Sequence, residues 1–178
     1  VDNPKITLSG DGTLHLLFTR GALRGGETVG LYYSQSLDGG VNWTDPQIVG
    51  EGEISWSEIT AYDTQTVHRL WQEDNGLVVA NLSQESQDGG KTWGHVFDIT
   101  NVAEQSSPVA LAANGMGDMY LIQLVRNDTA SFSNQEKITL KDWKWDGSQW
   151  GAGETRDLNI KGSGMNYLIT AGLTSKNY

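Results

Sequence analysis

A run of about four short strands recurs along the chain at a spacing near 50 residues, and this repeat constrains the fold more than any other feature. The apolar runs are short, rich in β-branched and aromatic residues, and separated by turn residues, which is typical of strands. No segment shows the apolar stripe of an amphipathic helix. A repeat of this length predicts an all-β fold made of propeller blades, each a four-stranded antiparallel sheet.

The repeat divides the chain into three predicted blades and the beginning of a fourth. The blades cover residues 1–52, 53–103 and 104–161, and residues 162–178 begin the further blade. The fold class is therefore about three four-stranded blades plus one extra strand. The predicted strands are residues 6–8, 14–18, 28–34, 47–49, 57–62, 67–72, 77–82, 96–99, 108–112, 119–125, 137–145, 155–158 and 167–171.

The composition excludes several classes of partner. The 178 residues contain 12 Lys plus Arg and 22 Asp plus Glu, so the formal charge is −10. We expect neither nucleic acid nor an anionic membrane face as a partner, since both need a basic surface. No apolar run reaches the ~18 residues of a membrane span. The chain has no Cys, which rules out disulfides and thiolate metal sites, and we expect no metal and no cofactor.

The strongest motif occurs twice, between the third and fourth predicted strands of the first two repeats. Residues 36–43 read SLDGGVNW and residues 86–93 read SQDGGKTW, and both fit the pattern S-x-D-x-G-x-x-W. A degenerate third copy, WDGSQW, occupies residues 145–150. The motif resembles the Asp box, or BNR repeat, of sialidase-like β-propellers. This resemblance implies a ring of six blades, carbohydrate binding or glycoside hydrolysis, and a secreted or extracellular protein.

The motif residues predict a structural corner rather than a ligand site. The Asp carboxylate can accept backbone N–H groups of its own turn, the Gly can adopt a left-handed conformation, and the Trp can fold back and bury its ring. One carboxylate per turn is few for Ca²⁺, which usually takes 6–8 oxygens. In the resembled family the boxes lie at the blade periphery. The structural residues are Ser36, Asp38, Gly40 and Trp43, and Ser86, Asp88, Gly90 and Trp93.

Three repeats do not complete a ring, because propellers close with typically 4–8 blades. An open stack of blades would leave apolar faces and sheet edges in water. The missing blades can come from the rest of the same propeller, from a second copy of the chain, or from another subunit. The unpaired strand at residues 167–171 favours the first or the third source. We expect a piece of a larger propeller.

Candidate functional residues lie near the beginnings of the first strands, which line the central channel of a propeller. In the resembled family a Tyr nucleophile is assisted by a Glu, an Asp acts as acid and base, and three Arg side chains bind the substrate carboxylate. Glu58 begins a first strand beside Trp56 and resembles that Glu, and Tyr167 is the analogous Tyr. The other positions of this kind are Asn3, Ser57, Ser106, Ser107 and Asn166.

The arginine pattern weakens the resemblance to an active hydrolase. Guanidinium groups bind carboxylates bidentately, so the family's triad has a clear chemical role. The R-I-P motif that bears the family's first Arg has no match here, and residues 3–6 (NPKI) are the nearest stretch. Arg69 and Arg126 close the second strands of repeats two and three, and we assign them, with Trp56, as candidate ligand-binding residues. A surface or salt-bridge role is the alternative.

Other aromatic residues predict packing between blades. His15 and His68 occupy equivalent second-strand positions, which indicates a repeated structural niche rather than a metal site. Trp71 ends a second strand and is predicted to lie in the core between blades. The same role is expected for the Trp residues near the third, broken copy of the motif, Trp143, Trp145 and Trp150.

Two functions follow from these observations. The first is a fragment or half of a BNR propeller that acts as a glycan-facing binding or structural scaffold. The second is part of a sialidase-like glycoside hydrolase whose arginine-bearing N-terminal motif lies outside this chain. A subunit whose propeller faces stack in an assembly is a third, weaker possibility. Three Arg side chains converging on one channel mouth would favour the hydrolase.

Overall fold

The computed structural model describes residues 2–21, 28–99, 101–103, 109–114, 118–127 and 137–158. Within these residues twelve strands form three antiparallel sheets of four strands each, and every sheet keeps its strands in sequence order. Sheet 1 contains β1 (Asp2–Leu8), β2 (Leu14–Arg20), β3 (Gly30–Ser36) and β4 (Gln47–Glu51). Sheet 2 contains β5 (Glu53–Ala61), β6 (Val67–Asp74), β7 (Val79–Ser86) and β8 (Phe97–Asp98). Sheet 3 contains β9 (Val109–Ala113), β10 (Met119–Asn127), β11 (Lys137–Trp145) and β12 (Trp150–Leu158).

The all-β prediction is confirmed, and each of the twelve strands predicted before residue 159 has a counterpart. The predicted strand at residues 167–171, and with it the beginning of a fourth blade, lies outside the described residues. No helix long and apolar enough to cross a membrane is found in the part of the chain that the structure describes.

One difference in strand boundaries has a clear local cause. The strand predicted from residue 77 begins at Val79, because Asn75 extends the preceding turn. Its Oδ1 accepts hydrogen bonds from the backbone N–H groups of Leu77 and Val78, both at 3.0 Å. Leu77 is 93 % exposed and belongs to this turn. An Asn side chain that caps a turn in this way competes with the strand ladder.

The sheets pack face to face through two apolar clusters. Between sheets 1 and 2, Leu17, Leu31 and Tyr33 meet Ile59, Val67 and Trp71. Between sheets 2 and 3, Leu70 packs with a larger group of residues from sheet 3 and the preceding turn, namely Ile99, Val102, Ala103, Val109, Leu111, Met119, Leu121, Trp143 and Trp145. The predictions that Trp71, Trp143 and Trp145 lie between sheets are confirmed.

The first strands of the three sheets are neighbours. β5 contacts β1 on one side and β9 on the other, so the first strands form an inner wall while the later strands lie farther out. The described residues that were predicted for the channel, Asn3, Trp56, Ser57 and Glu58, lie on two of these first strands. This arrangement also leaves one face of sheet 1 without a packed sheet among the described residues, and that face carries Ile6 (59 % exposed) and Leu8 (60 % exposed).

The two equivalent histidines are buried in different sheets, as predicted. His15 Nδ1 lies 2.8 Å from Tyr33 Oη, and its Nε2 lies 3.1 Å from Ser9 Oγ. His68 Nε2 lies 3.3 Å from Ser83 Oγ. Burial lowers the pKa of both imidazoles, and for His68 the pKa falls to about 4. Both side chains are therefore neutral at pH 7 and serve as hydrogen-bonded core residues.

Candidate functional site

The first turn motif, residues 36–43, is closed by its own side chains. Ser36 Oγ donates to Asp38 Oδ1 at 2.9 Å and accepts the N–H of Gly40 at 2.8 Å. Asp38 Oδ1 also accepts the N–H of Asn42 at 2.8 Å. These bonds hold the pKa of the exposed Asp38 carboxyl below its ordinary value, and the bond from the Asn42 backbone is the largest cause. The carboxylate thus has partners within its own turn.

The second turn motif, residues 86–93, repeats this geometry. Ser86 Oγ donates to Asp88 Oδ1 at 2.9 Å and accepts from Gly90 N at 2.8 Å. Thr92 takes the place of Asn42, with its N–H donating to Asp88 Oδ1 at 2.8 Å and its hydroxyl to Oδ2 at 2.6 Å. The Thr92 side-chain bond is the main cause that lowers the pKa of Asp88 to about 2.

The two motifs differ in what their Trp side chains contact. Trp93 lies against sheet 1, edge-on to Tyr33 with ring centroids 5.0 Å apart. Gly90, with φ +80°, passes so close that a Cβ there would lie 2.0 Å from Tyr33 Oη. Trp43 folds back so that its Nε1 donates to Gly40 O at 3.0 Å, but the side chain is 38 % exposed. The prediction that Trp43 buries its ring is therefore wrong, because no described sheet packs beside it.

The third, degenerate turn is a tight hairpin. Asp146 Oδ1 accepts the N–H groups of Ser148 and Gln149, both at 2.8 Å. The turn joins β11 to β12, and the flanking residues Trp145 and Trp150 pair across it. Their rings lie over the buried His68, with centroid separations of 4.8 Å and 6.2 Å. In both interfaces an indole from the corner of one sheet packs on the preceding sheet.

The inner wall of first strands carries a partly buried ion pair. Lys5 Nζ of β1 donates to Glu58 Oε1 of β5 at 2.5 Å. The Glu58 side chain is 12 % exposed and the Lys5 side chain is 38 % exposed. Burial raises the pKa of Glu58, and the Lys5 ammonium opposes this change. Asn3, which precedes this pair on β1, has the left-handed φ of 48° that is uncommon outside glycine.

Trp56 and Ser57 adjoin Glu58 on β5 and bury polar atoms. Neither Trp56 Nε1 nor Ser57 Oγ has a hydrogen-bond partner among the described residues. Trp56 packs against the apolar cluster between sheets 2 and 3. Trp56, Ser57 and Glu58 are consecutive residues of β5, and Glu58 is the one of them that pairs with Lys5 of β1.

Arg69 is buried between sheets 1 and 2. It is 6 % exposed, its Nε donates to Gln84 Oε1 at 3.0 Å, and its Cζ lies 3.6 Å from the ring centroid of Trp93. Burial lowers its pKa to about 9. The guanidinium is thus engaged by Gln84 and by the Trp93 indole. A ligand-binding role for Arg69 stays a prediction.

The other arginines lie on separate sheets. Arg20 stacks on Tyr32 in sheet 1, with Cζ 4.6 Å from the ring centroid, and Arg156 Nε donates to Glu154 at 2.9 Å in sheet 3. The backbone of Arg126 pairs with Ile138 in sheet 3. The Arg126 side chain lies outside the described residues, as do Arg24, Ser106, Ser107, Asn166 and Tyr167. The Arg side chains that the structure describes do not converge on one site.

Lys5 was not identified from the sequence as the charge partner of Glu58. Lys5 and Glu58 occupy equivalent positions of their first strands, because Lys5 pairs with Leu17 and Glu58 with Leu70. Aligning the repeats strand by strand gives this signal, since equivalent positions on adjacent blades are neighbours. Within the described residues no group of three or more His, Asp or Glu side chains could hold a metal ion.

This architecture is similar to that of a solved structure. The NanB sialidase from Streptococcus pneumoniae, in a complex with 2-[(3-chlorobenzyl)ammonio]ethanesulfonate, matches 86 % of this chain with a TM-score of 0.52 and 14 % identity. The chain has a β-propeller fold. The propeller segment spans only 23 % of the sialidase chain.

A second similar structure is the catalytic domain of the GH62 α-L-arabinofuranosidase from Coprinopsis cinerea. It matches 84 % of this propeller segment and 49 % of its own length, with 14 % identity and a TM-score of 0.48. No protein-family model and no curated protein sequence matches the chain.

Proposed function

We propose that the chain is part of a larger β-propeller whose inner wall faces a glycan, as a binding or structural scaffold. The observation that carries this proposal is the partly buried Lys5–Glu58 pair on the first strands, with Trp56 two residues from Glu58 on β5. Such a group offers a charged donor, a charged acceptor and an aromatic ring, which together suit a polyhydroxylated ligand. A glycan-facing role fits a secreted or extracellular protein, and we propose that location.

The contacts of Glu58 favour a scaffold over a hydrolase. Its Oε1 accepts a short hydrogen bond from Lys5, so among the described residues the partner of this carboxylate is a cation. Arg20 and Arg69 stack on aromatic rings of sheet 1 and sheet 2. Neither guanidinium is placed to share a substrate carboxylate with the other.

A sialidase-like glycoside hydrolase is the second candidate, because one observation favours it. Burial raises the pKa of Glu58, and a carboxyl group with a raised pKa can donate or accept a proton nearer neutral pH. This candidate requires Tyr167 beside Glu58 and an arginine-bearing motif supplied by another part of the protein.

We further propose that additional blades cover the exposed face of sheet 1. The blades of this chain are residues 1–52, 53–103 and 104–161, with residues 162–178 beginning another. In sheet 2 the face equivalent to that of Ile6 and Leu8 packs Ile59 and Val67 against sheet 1. The exposed face therefore matches the surface of another four-stranded blade. The rest of the same propeller, a second copy and another subunit are the three sources of such a blade.

The test is titration of the chain with 3′-sialyllactose and with lactose by isothermal calorimetry. We expect saturable binding of at least one glycan, and about tenfold weaker binding by Glu58→Gln, the loss typical of a charged hydrogen bond. Glu154→Gln in sheet 3, an exposed carboxylate paired with Arg156, is the matched control and should bind as the native chain does. Glu58→Gln should fold normally, because the half-exposed Lys5 can be solvated.

Hydrolysis is measured in the same samples by release of free sialic acid. We expect none above the protein-free control. Release that Glu58→Gln abolishes would favour the hydrolase and contradict the scaffold. Failure of the native chain to bind either glycan would contradict the glycan-facing role.

A further inference from the structure

An open cleft of about 660 Å³ lies between the second turn motif of sheet 2 and the hairpin of sheet 3. It shares no residue with the inner wall of Lys5 and Glu58. Its size is in the range of small-molecule sites. Its lining residues come from four segments of the chain and include His68, Glu85, Trp93, Phe97 and Trp145.

Aromatic rings form much of this lining. Phe97 is 49 % exposed and stands edge-on to His95, with ring centroids 5.2 Å apart. Trp145 is largely buried and stands edge-on to His68. Trp93 already carries the Arg69 guanidinium over its ring. Exposed and half-buried rings in one cleft attract either an apolar group or a cation.

The charge of the cleft distinguishes these two possibilities. Glu85 has a side chain that is 20 % exposed, and its Oε1 accepts a bond from Gln87 Nε2 at 2.9 Å. Its Oε2 lies 3.4 Å from His68 Nδ1. His68 is neutral at pH 7, because burial lowers its pKa to about 4. Among the described residues no Lys or Arg pairs with Glu85, so its negative charge is not neutralised by the protein.

We propose that this cleft binds an organic cation of the alkylammonium class, with the ammonium group near Glu85 and its carbon substituents against Phe97 and Trp93. The net charge of −10 adds a field that attracts cations. The Glu85 carboxylate would repel an anion. An uncharged ligand would leave this carboxylate in the cleft without a positive counter-charge. The lining combines both parts that recognition of methylated ammonium groups uses, aromatic rings and a negative charge.

The test compares choline with its uncharged isostere 3,3-dimethyl-1-butanol, which has the same shape without the positive nitrogen. Binding is followed by calorimetry and by Trp fluorescence at low ionic strength. We expect choline to bind saturably and the isostere to bind about tenfold more weakly. Choline binding should weaken when salt is added, because part of the attraction is electrostatic.

Two variants assign the binding to the cleft. Glu85→Gln keeps the shape of the side chain and should weaken choline binding about tenfold. Its control is Glu73→Gln on β6, where the carboxylate accepts a bond from Trp71 Nε1 at 3.2 Å, away from the cleft. Phe97→Leu keeps an apolar side chain but removes the ring, and should weaken binding several-fold. Far-ultraviolet circular dichroism confirms that each variant is folded.

Three results would overturn the proposal. Equal binding of the isostere would mean that the cleft recognises apolar shape only. Binding of lactose that Glu85→Gln removes would assign the cleft to a neutral sugar. No saturable choline binding up to ~50 mM, well beyond a millimolar Kd, would leave the cleft without an ammonium ligand. Glu58→Gln should leave choline binding unchanged, so failure of the glycan proposal and failure of this one are distinguishable.

Discussion

Replacement of Trp93 by Ala should lower the free energy of unfolding by about 3 kcal/mol, and replacement of Trp43 by Ala should lower it by less than about 1 kcal/mol. The two residues occupy the same position of the same turn motif. Trp93 packs on Tyr33 and covers the buried Arg69 guanidinium, so Ala would leave a cavity and an uncovered cation. Trp43 is 38 % exposed and loses mainly contacts within its own turn.

The measurement is urea unfolding of the native chain and both variants, followed by circular dichroism. The pair is matched in the atoms removed and in the Ser, Asp and Gly bonds of the two motifs, although only Trp43 Nε1 has a hydrogen-bond partner among the described residues. Equal losses of stability would contradict the assignment of Trp93 to the interface between sheets 1 and 2. In that case the indole would stabilise only the hairpin that carries it.

Acidification from pH 6.5 to pH 4 should cost the native chain about 3 kcal/mol of stability through His68 alone. The pKa of His68 falls from 6.5 to about 4 on folding, with burial as the cause. Between these values the unfolded chain binds the proton and the folded chain does not, so stability is lost as the pH falls. His15 adds a contribution of the same sign, because burial lowers its pKa also.

The prediction is tested by urea unfolding at several pH values for His68→Gln, which keeps a polar side chain of similar size but does not titrate. We expect the variant to lose most of the pH dependence in this window, whatever its stability at pH 7. His95→Gln, which replaces an exposed histidine, is the matched control for the change from His to Gln. Asp11 and Asp88, with pKa values of about 2, titrate below this window. An unchanged slope in His68→Gln would contradict a buried, neutral His68.

Much of the fold could be predicted because its signals are local. The pattern of short apolar strands separated by glycine-rich turns predicted the three four-stranded sheets. The equivalent positions of His15 and His68 in the repeats predicted that both are buried. The failures depend on tertiary contacts. Trp43 and Trp93 have the same local sequence, but only Trp93 has a neighbouring sheet, and nothing within the motif reveals that difference.

The candidate site could be predicted only in part. Position on a first strand identified Glu58, but its partner Lys5 is 53 residues away and emerged only from the packing of β1 beside β5. The cleft around Glu85 draws on the ends of β6, β7 and β11 and on the turns beside them, so no single stretch of sequence contains its pattern. The prediction that Arg69 closes a second strand is wrong, because β6 continues to Asp74 and Arg69 is its third residue. Its burial beneath Trp93 follows from the contact of two sheets.

The most direct test of stacked blades is a nuclear Overhauser spectrum of the chain with assigned aromatic side chains. We expect cross-peaks between the indole protons of Trp93 and the ring protons of Tyr33, because the two ring centroids lie 5.0 Å apart on neighbouring sheets. Cross-peaks from Trp93 only to residues of its own turn would contradict the packing of sheet 2 on sheet 1.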